Sequence, residues 1–315
     1  MEKNKANKID QWFKEMSVSK NAGISFMIAS VLPTALLVVV WIILAVAGVM
    51  QNPDFQQADW YRYIAYLCTP VAFFFTSLYF FSGTRLSLKD EFRCNNCSLK
   101  YYLMALLMQV GLFGLSELNS LFLSFLGQFG YTDAGIQLPS MDGFGFVGVL
   151  LVVAVLPALM EELFFRGVLL KGLKCFGETG AIFLCGALFS LFHQNPAQTV
   201  YQFCCGAAYA LLAVRSGSIL PTAFAHFLNN AVILILYKLG VQTIPMPVFI
   251  IIVCVAAVCL AAALVWIFAF DKKQKRLPLE TDKTDRKNFL LGAGLGIVFC
   301  AFSWLTTLIS GIIGG

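Results

Sequence analysis

The chain has 315 residues, of which 59% are hydrophobic and only 12% are charged. A soluble domain is about half apolar and about a quarter charged. This composition therefore excludes an ordinary water-soluble domain and is typical of a chain surrounded by lipid. The net charge of +5 does not indicate a nucleic-acid partner, because the basic residues lie in short segments between apolar runs.

Apolar runs long enough to cross a bilayer occur along the whole chain. A membrane-spanning helix needs about 20 mostly apolar residues. The sequence predicts nine spans, of which the fifth and sixth are short: 24–49, 63–83, 101–127, 146–170, 179–195, 197–214, 217–237, 246–270 and 288–312. We therefore expect an all-α fold, a polytopic transmembrane helix bundle.

The basic residues predict the orientation of this bundle. Lys and Arg accumulate in the cytoplasmic segments of membrane proteins. If the N-terminus is cytoplasmic, only Arg62 and Lys238 lie on the opposite side, and Arg166 lies within a span. We therefore expect an integral multi-pass protein of a bacterial plasma membrane, with its N-terminus in the cytoplasm.

The spans group into four parts. Residues 1–20 form a polar cytoplasmic lead-in, and residues 24–127 hold three N-terminal transmembrane helices. Residues 146–237 form a four-helix core that carries the candidate site. Residues 246–312 hold two further helices, separated by a basic loop at 271–287.

Ionisable side chains within the predicted spans are few. An ionisable side chain inside a bilayer is costly, so it usually faces the protein interior and often has a function. The spans contain six such residues: Glu117, Glu161, Glu162, Arg166, His193 and His226. These include both histidines of the chain. Their concentration in the fourth, fifth and seventh spans predicts a polar site there.

Helical spacing divides these residues into groups. Glu162 and Arg166 are four residues apart, so they share a helix face and can form an ion pair. Glu161 is rotated by about 100° from Glu162, and we expect it to point toward the fifth and seventh spans. His226 and Asn230 also share a face.

Depth in the membrane supports convergence of these groups. Counted along the helices from their cytoplasmic ends, Glu161, His193 and His226 each lie roughly 13–21 Å deep. Pro157, one turn before Glu161, is expected to kink its helix or simply to be tolerated there. Three helices therefore bring polar groups to a similar level of the bilayer.

The residue types predict hydrolysis of a peptide bond. A buried carboxylate and a neutral imidazole can hold and activate a water molecule. A second histidine with an asparagine can donate hydrogen bonds to a developing oxyanion. Zinc is the alternative, because Glu161, His193 and His226 could ligate it and leave a position for water. The compact H-E-x-x-H motif is excluded by the distance between the two histidines, so we expect no cofactor.

Three short motifs carry a family resemblance. The run Glu161-Glu162-Leu163-Phe164-Phe165-Arg166, then Phe189-x-x-x-His193, then His226-x-x-x-Asn230 resemble the motifs of the CPBP family. This is the CAAX protease and bacteriocin-processing group of intramembrane endopeptidases, which includes the type II CAAX prenyl endopeptidases. The resemblance covers about residues 150–235.

The resemblance implies a role for each motif residue. It implies that Glu161 is the base acting on water, with His193 as its partner, and that His226 and Asn230 form the oxyanion hole. Glu162 and Arg166 would support them. The family has been described both as metalloprotease-like and as metal-independent, and we favour the glutamate type. The expected partners are a peptide or membrane-protein substrate and the lipid bilayer.

Two other functions remain open at this stage. A proton-coupled transporter also places carboxylates and histidines in mid-membrane, although the sequence has no evident inverted repeat of the kind common in that class. A non-enzymatic immunity or scaffold protein of the same family is the other alternative. For Glu117, we expect either an interhelical contact or a place in the lining of a cavity.

Overall fold

The computed structural model describes residues 17–84, 86, 97–241, 243–271 and 283–314. All regular secondary structure in these ranges is helical, which confirms the predicted all-α class. Most of the predicted lead-in and most of the predicted basic loop lie outside the described residues.

Ten helical segments follow one another along the described chain. They are α1 (Val18–Val46), α2 (Asp59–Gly83), α3 (Leu99–Gly114), α4 (Ser116–Gly127), α5 (145–176), α6 (Gly177–Phe192), α7 (Thr199–Ser216), α8 (Leu220–Lys238), α9 (Met246–Val265) and α10 (Lys283–Ile313). The predicted third span is thus two helices, α3 and α4, divided at Leu115. A π-helical turn, Trp266–Phe270, extends α9.

Eight described helical runs are long and apolar enough to cross a membrane. One of them, Gly145–Phe192, comprises both α5 and α6. The chain reverses within it at Gly177, whose φ of +78° favours glycine. The rings of Phe165 and Phe189 are 5.0 Å apart, whereas a continuous helix would separate these residues by about 36 Å. When Gly145–Phe192 is counted as two segments, the described residues form nine apolar segments, the predicted number.

α5 is irregular along most of its length. It alternates α, π, α, π, α and 3₁₀ geometry through Gly145–Val149, Leu150–Val155, Leu156–Glu162, Leu163–Leu169, Leu170–Gly172 and Leu173–Phe176. π-Helical turns are rare and occur frequently at functional sites. The two adjacent glutamates therefore end a short regular piece that has a π-helical turn on either side.

Aromatic packing fixes the position of α5. The ring of Phe73 on α2 lies 4.9 Å from that of Phe164 and 5.7 Å from that of Phe165. Phe165 in turn contacts Phe189 on α6. All four of these side chains are fully buried. Because such a close-packed cluster resists displacement, it holds the α5 segment that follows the glutamates between α2 and α6.

The basic residues are separated between the two ends of the bundle. Arg62 and Lys238 donate to backbone carbonyls in the same loop, residues 128–144, at 2.7 and 2.9 Å. Lys100 and Arg215 lie at the other end, where each forms an ion pair at 2.6 Å. This separation agrees with the alternation seen in the sequence. The orientation in the membrane stays a prediction.

Small residues allow α1 and α10 to pack backbone against backbone. A Cβ atom on Gly292 would lie 2.8 Å from the backbone nitrogen of Ile24. A Cβ atom on Gly23 would lie 2.4 Å from the carbonyl oxygen of Phe289. In a bilayer, where helix association depends on close packing, glycine at such an interface lets two helices approach.

This contact predicts opposite results for two glycines of α10. We expect Gly292→Ala to destabilise the protein by about 1–3 kcal/mol, because the added methyl group meets backbone that cannot move aside. Gly294→Ala is the matched control, since nothing lies within 4 Å of its added Cβ. Unfolding in detergent micelles measures both variants. Equal stability of the two would contradict the proposed helix contact.

Candidate active site

The Glu162 carboxylate is the centre of the candidate site. Its side chain is fully buried on α5. Its Oε1 accepts hydrogen bonds from Arg166 Nη1 at 2.8 Å and from His226 Nδ1 at 2.9 Å. The predicted Glu162–Arg166 ion pair is therefore present, and it also joins α5 to α8.

Arg166 is enclosed by aromatic rings and one backbone carbonyl. Its Nη2 donates to the carbonyl of Gly206 on α7 at 3.0 Å. Its guanidinium carbon lies 4.7 Å from the ring centre of Phe189 and 5.3 Å from that of Tyr209. Such cation–π contacts strengthen when they are shielded from water. Glycine is needed at 206, because a Cβ there would lie 2.8 Å from the Cα of Gly186.

His226 is held on the opposite side of Glu162. Since a carboxylate only accepts hydrogen bonds, the Nδ1–H group of His226 is the donor and its Nε2 remains available. The imidazole stacks on the ring of Tyr209, with centroids 5.8 Å apart. Glu162 therefore bonds to the seventh predicted span, a contact that the sequence analysis did not predict. The expected direction of Glu161, toward the fifth and seventh spans, stays a prediction.

Glu161 is buried but lacks a complete set of partners. Its residue is 9% exposed, and its Oε2 has no hydrogen-bond partner within the described structure. Its charge interacts with those of His226, Glu162 and Arg166. A buried polar atom without a partner is costly and requires an explanation. This oxygen is thus available to a water molecule or a substrate.

His193 lies just beyond the end of its helix. We expected it within the fifth span, but α6 ends at Phe192 and His193 is its C-cap. The next residue, Gln194, has a φ of +52°, which is uncommon for a residue other than glycine and occurs often at functional sites. The helix ends early because the backbone turns at this point into the loop that leads to α7.

The tautomer of His193 follows from its backbone contact. Its Nδ1 lies 2.8 Å from the carbonyl oxygen of Phe189, and a carbonyl only accepts, so Nδ1 carries the proton. In the neutral ring, Nε2 is then an acceptor. The centroid of the Phe189 ring lies 4.9 Å from that of the imidazole. No hydrogen bond joins Glu161 to His193 within the residues described, so their pairing stays a prediction.

The loop that carries His193 is held by helices outside the predicted core. Asn119 on α4 donates through Nδ2 to the carbonyl of Ala197 at 2.6 Å. Its Oδ1 accepts from the backbone amides of Val200 and Tyr201, both at 3.2 Å. Non-helical backbone at membrane depth is tolerated only when protein buries it or when it lines a water-filled cavity. Sequence reasoning missed this role of Asn119.

Glu117 and Trp304 lie on helices for which the sequence predicted no role in the site. Trp304 on α10 donates through Nε1 to Thr199 Oγ1 at 2.8 Å, so α10 also holds the loop that begins at His193. Glu117, at the start of α4, is only partly buried. No hydrogen bond or ion pair of its side chain is present within the described ranges. The interhelical contact expected of Glu117 is made instead by Asn119, two residues later.

Asn230 is oriented by the backbone of α5. Its Nδ2 donates to the carbonyl of Val153 at 2.9 Å. In an α-helix the amide of residue 157 would donate to that carbonyl, but Pro157 has no N–H group. The Oδ1 of Asn230 accepts from Asn229 Nδ2 at 3.0 Å. An amide carries two N–H donors, so one donor of Asn230 remains available, as an oxyanion role requires.

Polar side chains that the sequence analysis missed converge on Asn229. Its Oδ1 accepts from Gln109 Nε2 at 2.9 Å and from the Tyr201 hydroxyl at 2.7 Å. Asn229 itself is buried. An uncharged glutamine within an apolar span was the available signal, and our search considered only ionisable residues.

The zinc alternative was tested against the donor set. No group of three or more His, Cys, Asp or Glu side chains in the described part of the chain is arranged to hold a metal ion. The Nδ1 atoms of His193 and His226 already contact the Phe189 carbonyl and Glu162, so only their Nε2 atoms are available as metal ligands. As they stand, Glu161, His193 and His226 do not fit a zinc site.

The shared carboxylate predicts how the buried charges contribute to stability. We expect Arg166→Met to destabilise the protein by about 3–5 kcal/mol, because it leaves a buried carboxylate without its guanidinium. The double variant Glu162→Gln with Arg166→Met removes both charges and should recover part of this loss. Unfolding in detergent micelles compares them. A double variant less stable than Arg166→Met would contradict the pairing.

One comparison with known proteins matches part of the chain to a family model. Residues 143–232 match the family model described as "Type II CAAX prenyl endopeptidase Rce1-like". The matched range extends from just before α5 into α8 and includes all six predicted site residues. No curated protein and no solved structure matches the chain. This integral multi-pass membrane protein thus carries an Rce1-like CAAX protease domain, which supports the family assignment made from its three motifs.

Proposed function

We propose that the protein is an intramembrane endopeptidase that hydrolyses peptide bonds with a water molecule activated by Glu161 and His193. The family match indicates a protease. The observation that carries the residue assignment is that the buried Glu161 has an unpartnered Oε2 and makes no ion pair within the described structure, whereas Glu162, whose Oε2 is also unpartnered, is held through its Oε1 by Arg166 and His226. Glu162, the residue that follows Glu161 on the same helix, is bonded to His226.

The water molecule is held by two acceptors. Glu161 Oε2 has a free lone pair, and His193 Nε2 has one because its Nδ1–H group donates to the Phe189 carbonyl. A water that donates one hydrogen to each acceptor directs its own lone pair toward a substrate carbonyl. This arrangement fits general-base catalysis, in which a positioned group takes the proton of water as water attacks.

The oxyanion is stabilised by His226 and Asn230. Asn230 supplies the N–H group that Val153 does not use. His226 supplies its Nε2–H group, which requires the doubly protonated ring, since Nδ1–H already donates to Glu162. The charges of Glu161, Glu162, Arg166 and His226 then sum to zero. Donors fixed in place before reaction in a site of low polarity are the most effective form of such stabilisation.

In the proposed reaction, water adds to the substrate carbonyl and the peptide bond then breaks. The water oxygen forms a bond to the carbonyl carbon, its proton passes to Glu161, and the carbonyl electron pair becomes the oxyanion. The carbon–nitrogen bond then breaks as the oxyanion collapses, and Glu161 returns the proton to the leaving nitrogen. The products are a carboxylic acid and an amine, and Glu161 is again a carboxylate.

Glu161 and His193 are the residues with which to test this proposal. Two internally quenched peptides serve as probes, one farnesylated and ending in a CAAX sequence and the other identical but unprenylated. We expect Glu161→Gln and His193→Ala each to lower cleavage by about 10²–10⁴-fold, because general acid–base catalysis is lost. Glu117→Gln is the matched control, a second intramembrane glutamate that is outside the proposed site.

Thermal unfolding in detergent must show that the variants fold. Cleavage that survives both changes would overturn the proposed roles. Comparison of peptides and membrane proteins between cells with the wild type and with Glu161→Ala then identifies the natural substrate. A wild type that cleaves nothing in either experiment would favour the immunity or scaffold alternative, and proton flux in proteoliposomes would favour the transporter.

Metal dependence separates the glutamate type from the zinc type. We propose a metal-independent enzyme and expect full activity after chelation and dialysis, with far less than one zinc per chain by elemental analysis. The physical reason is that the three ligands zinc would need are not arranged around one point. Stoichiometric zinc, with activity lost on chelation and restored by zinc, would show the metallo-type mechanism instead.

A further inference from the structure

Gln109 connects the candidate site to a helix outside the matched family range. It lies on α3 and is 1% exposed. Its Oε1 accepts from the Tyr209 hydroxyl at 2.5 Å, and its Nε2 donates to Asn229 Oδ1 at 2.9 Å. A glutamine amide in a bilayer is costly unless it finds partners, and here both ends of the amide have one.

The hydrogen bonds that start at Gln109 run in one direction. Gln109 donates to Asn229, Asn229 donates to Asn230, and Asn230 donates to the Val153 carbonyl. That carbonyl can only accept, so the Nδ2 of Asn230 must face it. Turning any amide of the chain by half a turn would place two donors or two acceptors against each other. The chain therefore selects one orientation of the Asn230 amide.

A second branch leads from Gln109 to the other proposed oxyanion donor. The hydroxyl of Tyr209 donates to Gln109, and the ring of Tyr209 stacks on the imidazole of His226 with an interplanar angle of 28°. The same glutamine thus holds the tyrosine that supports His226 and the asparagine that orients Asn230. Gln109 thus bonds to one neighbour of each proposed oxyanion donor, in addition to the direct contacts that Val153 and Glu162 make with them.

We infer that Gln109 is a positioning residue for the oxyanion hole, acting on Asn230 through Asn229 and on His226 through Tyr209. This inference rests on the proposed function, because only a reaction that develops an oxyanion needs these donors fixed in advance. It also assigns a role to α3, a helix outside the family match. Gln109 itself touches neither the substrate nor the reacting atoms.

A double-variant experiment tests the inference with the farnesylated quenched peptide. Gln109→Met keeps the approximate length of the side chain and removes both hydrogen bonds. We expect it to lower kcat by about 10- to 100-fold with little change in KM, because small misplacement of a reacting group is costly. Met108→Leu is the matched control, a change of similar volume at the buried neighbour of Gln109; we expect it to leave kcat unchanged.

The dependence on Asn230 separates positioning from a merely structural role. In an Asn230→Ala background, Gln109→Met should cost less than in the wild type, because one of the two residues on which it acts is gone. Full additivity of the two losses, with unfolding temperatures that fall in parallel, would overturn the inference. A kcat that Gln109→Met leaves unchanged would overturn it as well.

A measurement without turnover distinguishes this inference from the proposed function. The side-chain amide signals of Asn230 are assigned by NMR in nanodiscs from their loss in Asn230→Asp. We expect Gln109→Met, but not Met108→Leu, to shift these signals. If the wild type cleaves no probe, the proposed function fails, and the NMR result still decides whether Gln109 orients Asn230. Unshifted signals would refute it.

Discussion

The buried Glu162 carboxylate is the interaction on which the site depends. A charge inside a bilayer protein is tolerated when partners surround it, and Glu162 has Arg166 on its own helix and His226 on α8. Arg166 in turn needs the Gly206 carbonyl and the surrounding rings, which fixes the approach of α7. Three helices are thus positioned by one carboxylate. Glu162 is held through its Oε1, while the Oε2 atoms of both Glu162 and Glu161 lack a hydrogen-bond partner within the described structure.

The second constraint is that backbone polar groups in lipid must find partners within the protein. Side-chain amides contact the backbone at two places where it departs from regular α-helix. The Val153 carbonyl, to which Pro157 cannot donate, accepts from Asn230, and the amides at the start of α7 donate to Asn119. The irregular backbone and the proposed chemistry are therefore linked, because the group that repairs the helix also orients a proposed oxyanion donor.

Much of this arrangement could be predicted from the sequence, for identifiable reasons. Apolar length and the placement of Lys and Arg predicted the helical segments, and spacing by four predicted the pairing of Glu162 with Arg166. Spacing did not predict that Glu162 also bonds to His226. That pairing depends on how α8 packs against α5. It also depends on the π-helical turns on either side of the glutamates, for which we found no sequence signal. The position of His193 beyond α6 was also missed, although the run His193-Gln194-Asn195-Pro196 that follows Phe192 is polar and ends in proline.

The helices outside the matched range contribute uncharged side chains that hold the site together. The family match ends within α8 and excludes α3, α4 and α10, yet Gln109, Asn119 and Trp304 on these helices contact the core. Each contact is a hydrogen bond from an uncharged side chain, which costs less to bury than an ionised one. The core can thus concentrate its charges around Glu162 while neutral amides and an indole from outside hold its loops and donors in place. A search confined to ionisable residues finds only the first of these two layers, because the second is built from groups that carry no charge.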